Sequence, residues 1–215
     1  MSSIEKFDRL ARGYAAHDYA DPARYAARRA EVALALGPRV APGAAVLDLA
    51  CGDANMAEPF LERGFRYAGV DGSAAMVEEA RRRLGDRAPL AVASLDDYVP
   101  PAPVELTICL RAFYYAADRR AFFRRVAGYT TTKFVFDFDP RVYDRGGLEA
   151  DLLASGFERL CFRPFFLPQR VAVPAPLRAA LAALEHTGPL ARAALRVRGI
   201  WFCAALPAAT APGRT

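Results

Sequence analysis

Lysine is nearly missing from this chain. Of its 29 basic residues only Lys6 and Lys133 are lysine, and the rest are arginine. Beside the abundant alanine, that imbalance reads as a compositional bias of coding before it reads as a binding surface. Arg81-Arg82-Arg83 and Arg124-Arg125 fall in helical stretches mixed with Glu or apolar residues, the pattern of a solvated helix face. There is no basic tail and no aromatic-basic repeat, so the net charge of +5 makes a nucleic-acid partner unexpected. Cysteine is sparse and scattered: Cys51, Cys109, Cys161 and Cys203 form no CxxC pair and no Cys/His cluster, which argues against a zinc site or any other metal site. The last three lie in apolar runs, where a free cysteine acts as a small core hydrophobe. No apolar stretch approaches the ~18 residues of a membrane span, because Arg or Pro interrupts each one. The opening MSSIEKFDRLARGYAAHDYA lacks the apolar segment of a secretory signal. The expectation is a reduced, cytoplasmic protein without a membrane, acting as a monomer or homodimer.

Against these absences stands ample apolar material. The 215 residues are 53% hydrophobic and include 14 Phe and 9 Tyr, which excludes intrinsic disorder. A chain of this length can bury roughly 70% of its unfolded surface as one domain. Strand-like and helix-like runs alternate along it. Residues 7–36 read as helical, with Asp21-Pro22 placed as the cap and first turn of a second helix. Apolar strands are expected at 44–50, 66–72, 88–94, 104–112, 133–139, 158–166 and 200–206, with helices over 55–64, 73–85, 117–127, 146–155 and 175–195. Ser73 is placed to cap the helix that follows it. Seven strands separated mostly by helices describe an α/β fold, a Rossmann-like doubly wound sheet with extra N-terminal helices. Residues 1–207 form the expected domain, with 1–40 as a helical cap, 163–195 as a substrate lid and 208–215 as a flexible tail.

The strongest chemical signal is VLDLACGDANM at 46–56. An apolar strand delivers Asp48 near its carboxyl end, and Gly52 lets the backbone turn tightly beneath a ligand. In open α/β sheets ligands bind in that crevice, beyond the carboxyl ends of the strands. About twenty residues further on, the next strand ends in Asp71, where a carboxylate can accept both hydroxyl protons of a ribose. The glycines depart from G-x-G-x-x-G, since Ala50 stands two residues before Gly52 and Asn55 where a third glycine would be. A pyrophosphate needs those glycines for close backbone approach. Their loss, and the repulsion Asp48 would exert on a phosphate, favour an adenosyl ligand that carries an ammonium or sulfonium.

At this point the sequence resembles the class I S-adenosylmethionine-dependent methyltransferases, most clearly over 44–140. VLDLACGDA is similar to the family's first motif and YAGVDGSAAMVEEARRRL to its second. The resemblance implies S-adenosyl-L-methionine as cofactor, Asp71 with Gly72 at the ribose, and Met76 beside the adenine. FDRLARGYA is similar to an F-D-x-x-A-x-x-Y lead-in whose tyrosine, here Tyr14, reaches the cofactor. Leu95 and Asp96 would line the adenine, and Leu110 and Arg111 would flank the methionine arm. The resemblance also implies that the last strand runs antiparallel in an otherwise mostly parallel sheet.

The acceptor side is read with more alternatives open. Phe113, Tyr114 and Tyr115 would wall the acceptor pocket or pack as core beneath the next helix, with Tyr115 a candidate catalytic group. In KFVFDFDPR, Asp137 and Asp139 share a strand face, which is costly if both are buried unpaired. Asp139 is the candidate general base or substrate ligand; the alternative is that these aspartates pair with Arg141 or Arg111. His17 and His186 fall in segments that would cover the substrate side, with His17 a candidate base against the ordinary reading of a surface histidine. Phe165, Phe166 and Leu167 suggest an apolar acceptor, with Gln169 and Arg170 at its polar or anionic end. No Asn/Asp-Pro-Pro-Tyr/Phe sequence occurs, which argues against adenine amino methylation of nucleic acid, and no Pro-Cys, which argues against cytosine C5 chemistry. The expected reaction is methyl transfer to an O, N or C nucleophile of a small organic acceptor in specialised metabolism. The alternatives are an RNA methyltransferase and a cofactor-binding protein without catalysis.

Overall fold

Five parallel strands form the frame: β1 (Ala45–Leu49), β2 (Arg66–Asp71), β3 (Leu90–Val92), β4 (Val104–Cys109) and β5 (Thr130–Phe138). β6 (Phe157–Phe165) and β7 (Ile200–Pro207) complete a single sheet in the order β3-β2-β1-β4-β5-β7-β6. β7 runs antiparallel to both of its neighbours, as the resemblance implied. The strand order reverses direction between β1 and β4, so the connections leave a crevice at their carboxyl ends. The computed structural model describes residues 3–208. The tail expected over 208–215 lies outside the described residues from 209 onward.

The helices begin where short polar side chains can satisfy free N–H groups. The Arg24 N–H donates to Asp21 at 3.0 Å at the head of α3 (Pro22–Ala35), with Pro22 in its first turn. Ser73 Oγ accepts from the Met76 N–H at 3.1 Å at the head of α5 (Ala74–Leu84). Asp118 and Asp144 do the same for α6 (Arg119–Tyr129) and α7 (Arg145–Leu153). Alternation along the strands then builds two cores, one on each face of the sheet. Val46, Ile108, Val135 and Phe202 meet α3 and α4 (Ala57–Leu61), while Leu47, Phe134 and Phe136 meet α6 and α7.

The polar residues of β5 have structural partners on the α3 side. Lys133 Nζ donates to the carbonyls of Leu34 and Leu36 at 2.8 and 2.7 Å, satisfying groups that the end of α3 leaves open. Burial pushes the Lys133 ammonium down to about 8. Asp137 is buried and accepts from Arg29 of α3 at 2.9 Å. These two tethers hold α3 against the sheet.

Several expected elements change length, and the helix expected over 55–64 keeps only Ala57–Leu61. β3 keeps three residues of the expected seven. β4 stops at Cys109 because Arg111 takes a left-handed φ of 60°, which no strand continues. The helical segment 175–195 divides at Gly188-Pro189 into α8 (Ala175–Leu184) and α9 (Pro189–Leu195). α8 contributes no buried residue, while Ala191 and Leu195 of α9 join the second core beside β6, the edge strand.

Candidate functional site

A crevice of about 330 Å³ opens at the carboxyl ends of β1, β2 and β4. Tyr14, Asp48, Ala50, Gly52, Asp71, Gly72, Met76, Leu95, Asp96, Leu110, Arg111 and Tyr115 all line it, so the structure gathers these sequence-predicted positions in one place. His17 and Asp139 are not among its lining residues.

Asp71 is fixed from two sides. The Gly52 N–H donates to its Oδ2 at 2.8 Å and the Ser73 N–H to its Oδ1 at 2.8 Å, which leaves further lone pairs on both oxygens for vicinal hydroxyls. Burial raises its pKa, and those two N–H bonds work against the rise. Gly52 itself has a φ of 57°, and a Cβ there would meet nothing within 4 Å: its position faces open space of the crevice. Gly69 of β2 has a different role. A Cβ on it would lie 2.9 Å from Cys51 Sγ, so the glycine lets the first crevice loop pack flush against the strand.

Backbone strain collects at this crevice. Among the described residues, Ala50, Ala54 and Arg111 are the non-glycine positions with positive φ, at 56°, 54° and 60°. Ala50 and Arg111 line the crevice, and Ala54 sits in its first loop. The glycine missing at position 50 therefore does not abolish its left-handed turn; Ala50, like Ala54, adopts one at a cost of about 1–2 kcal/mol. Strain of this kind persists where the surroundings over-determine it, typically at binding sites.

Asp48 sits almost completely buried on the floor, and Tyr67 Oη donates to its Oδ2 at 2.6 Å. Burial pushes its carboxyl up to about 7; the Tyr67 hydroxyl and the Arg29 cation pull the other way. A cationic ligand group would restore the carboxylate. Across the crevice lies Arg29, which reading the sequence missed. It is buried on the apolar stripe of α3 with Tyr25, Ala26, Ala30, Val32 and Ala33, and that position was the available signal: an arginine at core spacing. One nitrogen pairs with Asp137, while its buried Nε has no hydrogen-bond partner among the described residues. Burial disfavours the Arg29 cation, yet the adjacent Asp137 carboxylate raises its pKa overall.

The set fits the cofactor that the resemblance implies. Asp71 suits a ribose diol, Asp48 an ammonium and Arg29 Nε a carboxylate, while Leu95 and Asp96 edge the far end. A pyrophosphate would instead meet Asp48 and Asp53. Burial raises the Cys51 thiol, which therefore stays protonated and is no nucleophile.

The roof comes from the N-terminal helices α1 (Ser3–Leu10) and α2 (Tyr14–Asp18), and these contacts too were missed. Ile4 and Phe7 line the crevice, Phe7 meets Tyr115 edge to face at 5.6 Å, and Asp8 accepts from Ser73 Oγ. Tyr19, just beyond α2, adds a buried wall. The segment 163–195, expected as a lid, supplies no lining residue. It reaches the site through Gln169, whose Oε1 accepts from Arg111, and Arg170 pairs outside with Asp18.

On the acceptor side the alternatives separate. Phe113 is fully buried core, whereas Tyr114 and Tyr115 are 40% exposed, with Tyr115 on the crevice. Asp139 pairs with Arg141 at 2.7 Å, and that hydrogen-bonded guanidinium holds its carboxyl below the usual range, the wrong direction for a base at neutral pH. His17 of α2 is exposed and tied to the Gly13 carbonyl at 3.1 Å, and His186 lies within reach of Arg163. Among the described residues no cluster of His, Cys, Asp and Glu could hold a metal ion, and no helix is long and apolar enough to cross a membrane.

Comparison with known proteins agrees with this geometry. Residues 46–132 match the family described as methyltransferase domain. A protein of Geobacillus thermodenitrificans (strain NG80-2), named an uncharacterized methyltransferase, is 31% identical over 77 residues. That stretch spans 35% of this chain and only 36% of the relative. Among solved structures, a chain from the complex of the Haloferax volcanii Trm112 methyltransferase activator superposes with a TM-score of 0.66 at 20% identity, covering 94% of this chain and 97% of its own. Magnesium protoporphyrin IX methyltransferase from Synechocystis PCC 6803 gives 0.55 at 14%, with 97% and 85% covered. The [4+2]-cyclase SpnF gives 0.63 at 16%, with 96% of both chains covered. At such identities the likeness is one of fold, and the cyclase shows that the fold alone does not set the reaction. The domain match over residues 46–132, the motifs within it and the crevice they build agree with the resemblance to the class I S-adenosylmethionine-dependent methyltransferases.

Proposed function

We propose that this protein transfers a methyl group from S-adenosyl-L-methionine to a small organic acceptor. The observation that carries the reading is the crevice at the β1/β4 switch, where Asp71, Asp48 and the unpaired Nε of Arg29 offer a diol acceptor, a carboxylate and a cation in one enclosed space. Held by Asp71, Asp48 and Arg29, the cofactor would supply a methyl group activated by its sulfonium, for transfer to a nucleophile of the acceptor.

The protein's own residues position and seclude. Asp71 arrives pre-oriented by two backbone N–H groups, so binding a ribose need not reorganise it. Phe7, Tyr14, Tyr19 and Tyr115 roof the acceptor end and exclude water. Holding two reactants in line can remove roughly 7–11 kcal/mol from a bimolecular barrier, so a protein general base is not required by the chemistry. Tyr115 lines the crevice while remaining 40% exposed, and is assigned to acceptor positioning.

A small acceptor is supported over RNA by where the arginines go. Arg82 pairs with Glu78 and Glu79, Arg83 with Asp53, and Arg119 and Arg120 with Asp151, so these arginines are engaged by carboxylates of the molecule itself. Surface pairs of this kind are weak and do not make a phosphate track. The test is methyl incorporation from radiolabelled cofactor into a small-molecule extract and, separately, into total RNA. Label is expected in the extract; label confined to RNA would overturn the acceptor class, and tight cofactor binding with no turnover on either would overturn the enzymatic reading.

A further inference from the structure

The acceptor end of the crevice contains a cation that the protein does not neutralise. Arg111 stands just past β4 with a left-handed backbone, and its N–H donates to Asp137 Oδ1. Its guanidinium reaches Gln169 Oε1, and among the described residues it has no carboxylate within ion-pair distance. Asp137, the nearest buried carboxylate, is already engaged by Arg29. Gln169 is held by its backbone, whose carbonyl accepts from the Ala20 N–H at 3.0 Å, while its buried Nε2 has no hydrogen-bond partner among the described residues. A guanidinium with no anionic partner, one of its N–H groups taken by Gln169 Oε1, thus sits beside an amide whose own buried N–H has no acceptor among the described residues. Buried donors of this kind are costly unless a ligand completes them.

We infer that Arg111 and Gln169 form a carboxylate subsite, so that the acceptor is a small organic acid whose carboxylate docks there. This rests on the proposed methyltransferase reading for the identity of the reaction, not for the existence of the subsite. The cofactor's own carboxylate is assigned to Arg29 Nε, which leaves Arg111 for the second substrate. A planar guanidinium fork with one neighbouring amide suits a flat carboxylate; a phosphate dianion would call for more donors, and no lysine lines the crevice. Tyr14, Tyr19 and Tyr115 offer flat apolar faces beside the subsite, which suits an acid built on an aromatic ring. The strained φ of Arg111 has a role in this arrangement: the left-handed turn sends the main-chain N–H to Asp137 while the side chain extends to Gln169.

The experiment measures binding of benzoate, salicylate and cinnamate, each against its amide, to the full chain with and without S-adenosylhomocysteine. At least one acid is expected to bind at least tenfold more tightly than its amide. Arg111→Met should weaken that acid about 10–100-fold, the range for a lost charge-assisted pair, while changing S-adenosylhomocysteine affinity less than twofold. Gln169→Glu supplies an internal carboxylate to Arg111 and should abolish acid binding in a protein whose folding is checked by its melting curve. Equal affinity for acids and amides, or failure of all three acids to bind, would overturn the subsite. So would Arg111→Met if it weakened S-adenosylhomocysteine rather than the acid, because Arg111 would then hold the cofactor. Arg111-dependent acid binding in a wild-type protein that ignores S-adenosylhomocysteine would leave the subsite standing and remove the methyltransferase reading instead.

Discussion

Asp48→Asn is the substitution whose outcome is most tightly determined by the structure. The carboxyl is fully enclosed, and burial, the largest influence on it, pushes its pKa from 3.8 in the open chain to about 7 in the fold. Between those values the folded protein holds a proton that the unfolded chain has released. Folding therefore loses stability as pH climbs through that window, and the full penalty is present above pH 7. Keeping this aspartate ionised at pH 8 costs ~4 kcal/mol, and at pH 5 the cost is ~1.5 kcal/mol. Asparagine has no charge to bury and keeps a carbonyl oxygen for the Tyr67 hydroxyl, which donates at 2.6 Å. The variant should melt higher than wild type at pH 8, and its advantage should shrink by roughly 5–10 °C on going to pH 5 for a chain of this size. Melting curves of both proteins at half-unit steps from pH 5 to 9 read this out, since every other titration is common to the pair. An advantage independent of pH, or a wild type more stable than the variant at pH 8, would refute the reasoning.

Three further outcomes follow from the same geometry. Asp71→Ala removes the diol acceptor and releases the N–H groups of Gly52 and Ser73, and calorimetry should show S-adenosylhomocysteine affinity falling at least ~30-fold; unchanged affinity would take Asp71 out of the site. Ala54→Gly replaces a fully buried alanine at φ 54° with the residue that adopts this conformation freely, and chemical denaturation should show a gain of about 0.5–1 kcal/mol; a loss would mean that the methyl group contributes more packing than the backbone costs. Asp139→Asn, which touches Arg141 rather than the crevice, should leave turnover within about twofold of wild type once an acceptor is in hand, and a tenfold loss would return Asp139 to the chemistry.

Much of the crevice lining at β1 and β2 was legible in the sequence because it is local. A strand of alternating apolar residues, one glycine and two spaced carboxylates lie within thirty residues of chain, and each position is fixed by its own element: Asp48 and Asp71 by β1 and β2, Met76 by a helix that Ser73 caps. The acceptor side resisted for the opposite reason. Asp139 and His17 looked equivalent to Tyr115 in sequence, yet Arg141 and the Gly13 carbonyl claim the first two at contact distance. The roof came from α1 and α2, not from the longer segment 163–195, because no pattern in a helix says which opening it will cover.

The order of strands and helices, their caps, and the identity of the loop that turns beneath a ligand were determined by the sequence alone, since periodicity and capping act between residues a few positions apart. Only the tertiary structure decided which charges find partners. Arg29 and Asp137 stand 108 residues apart and Arg111 and Gln169 stand 58 apart. Whether a buried arginine is neutralised or left open for a ligand depends on helix docking and loop closure over such separations, where energies of a few kcal/mol are settled by packing and leave no local trace.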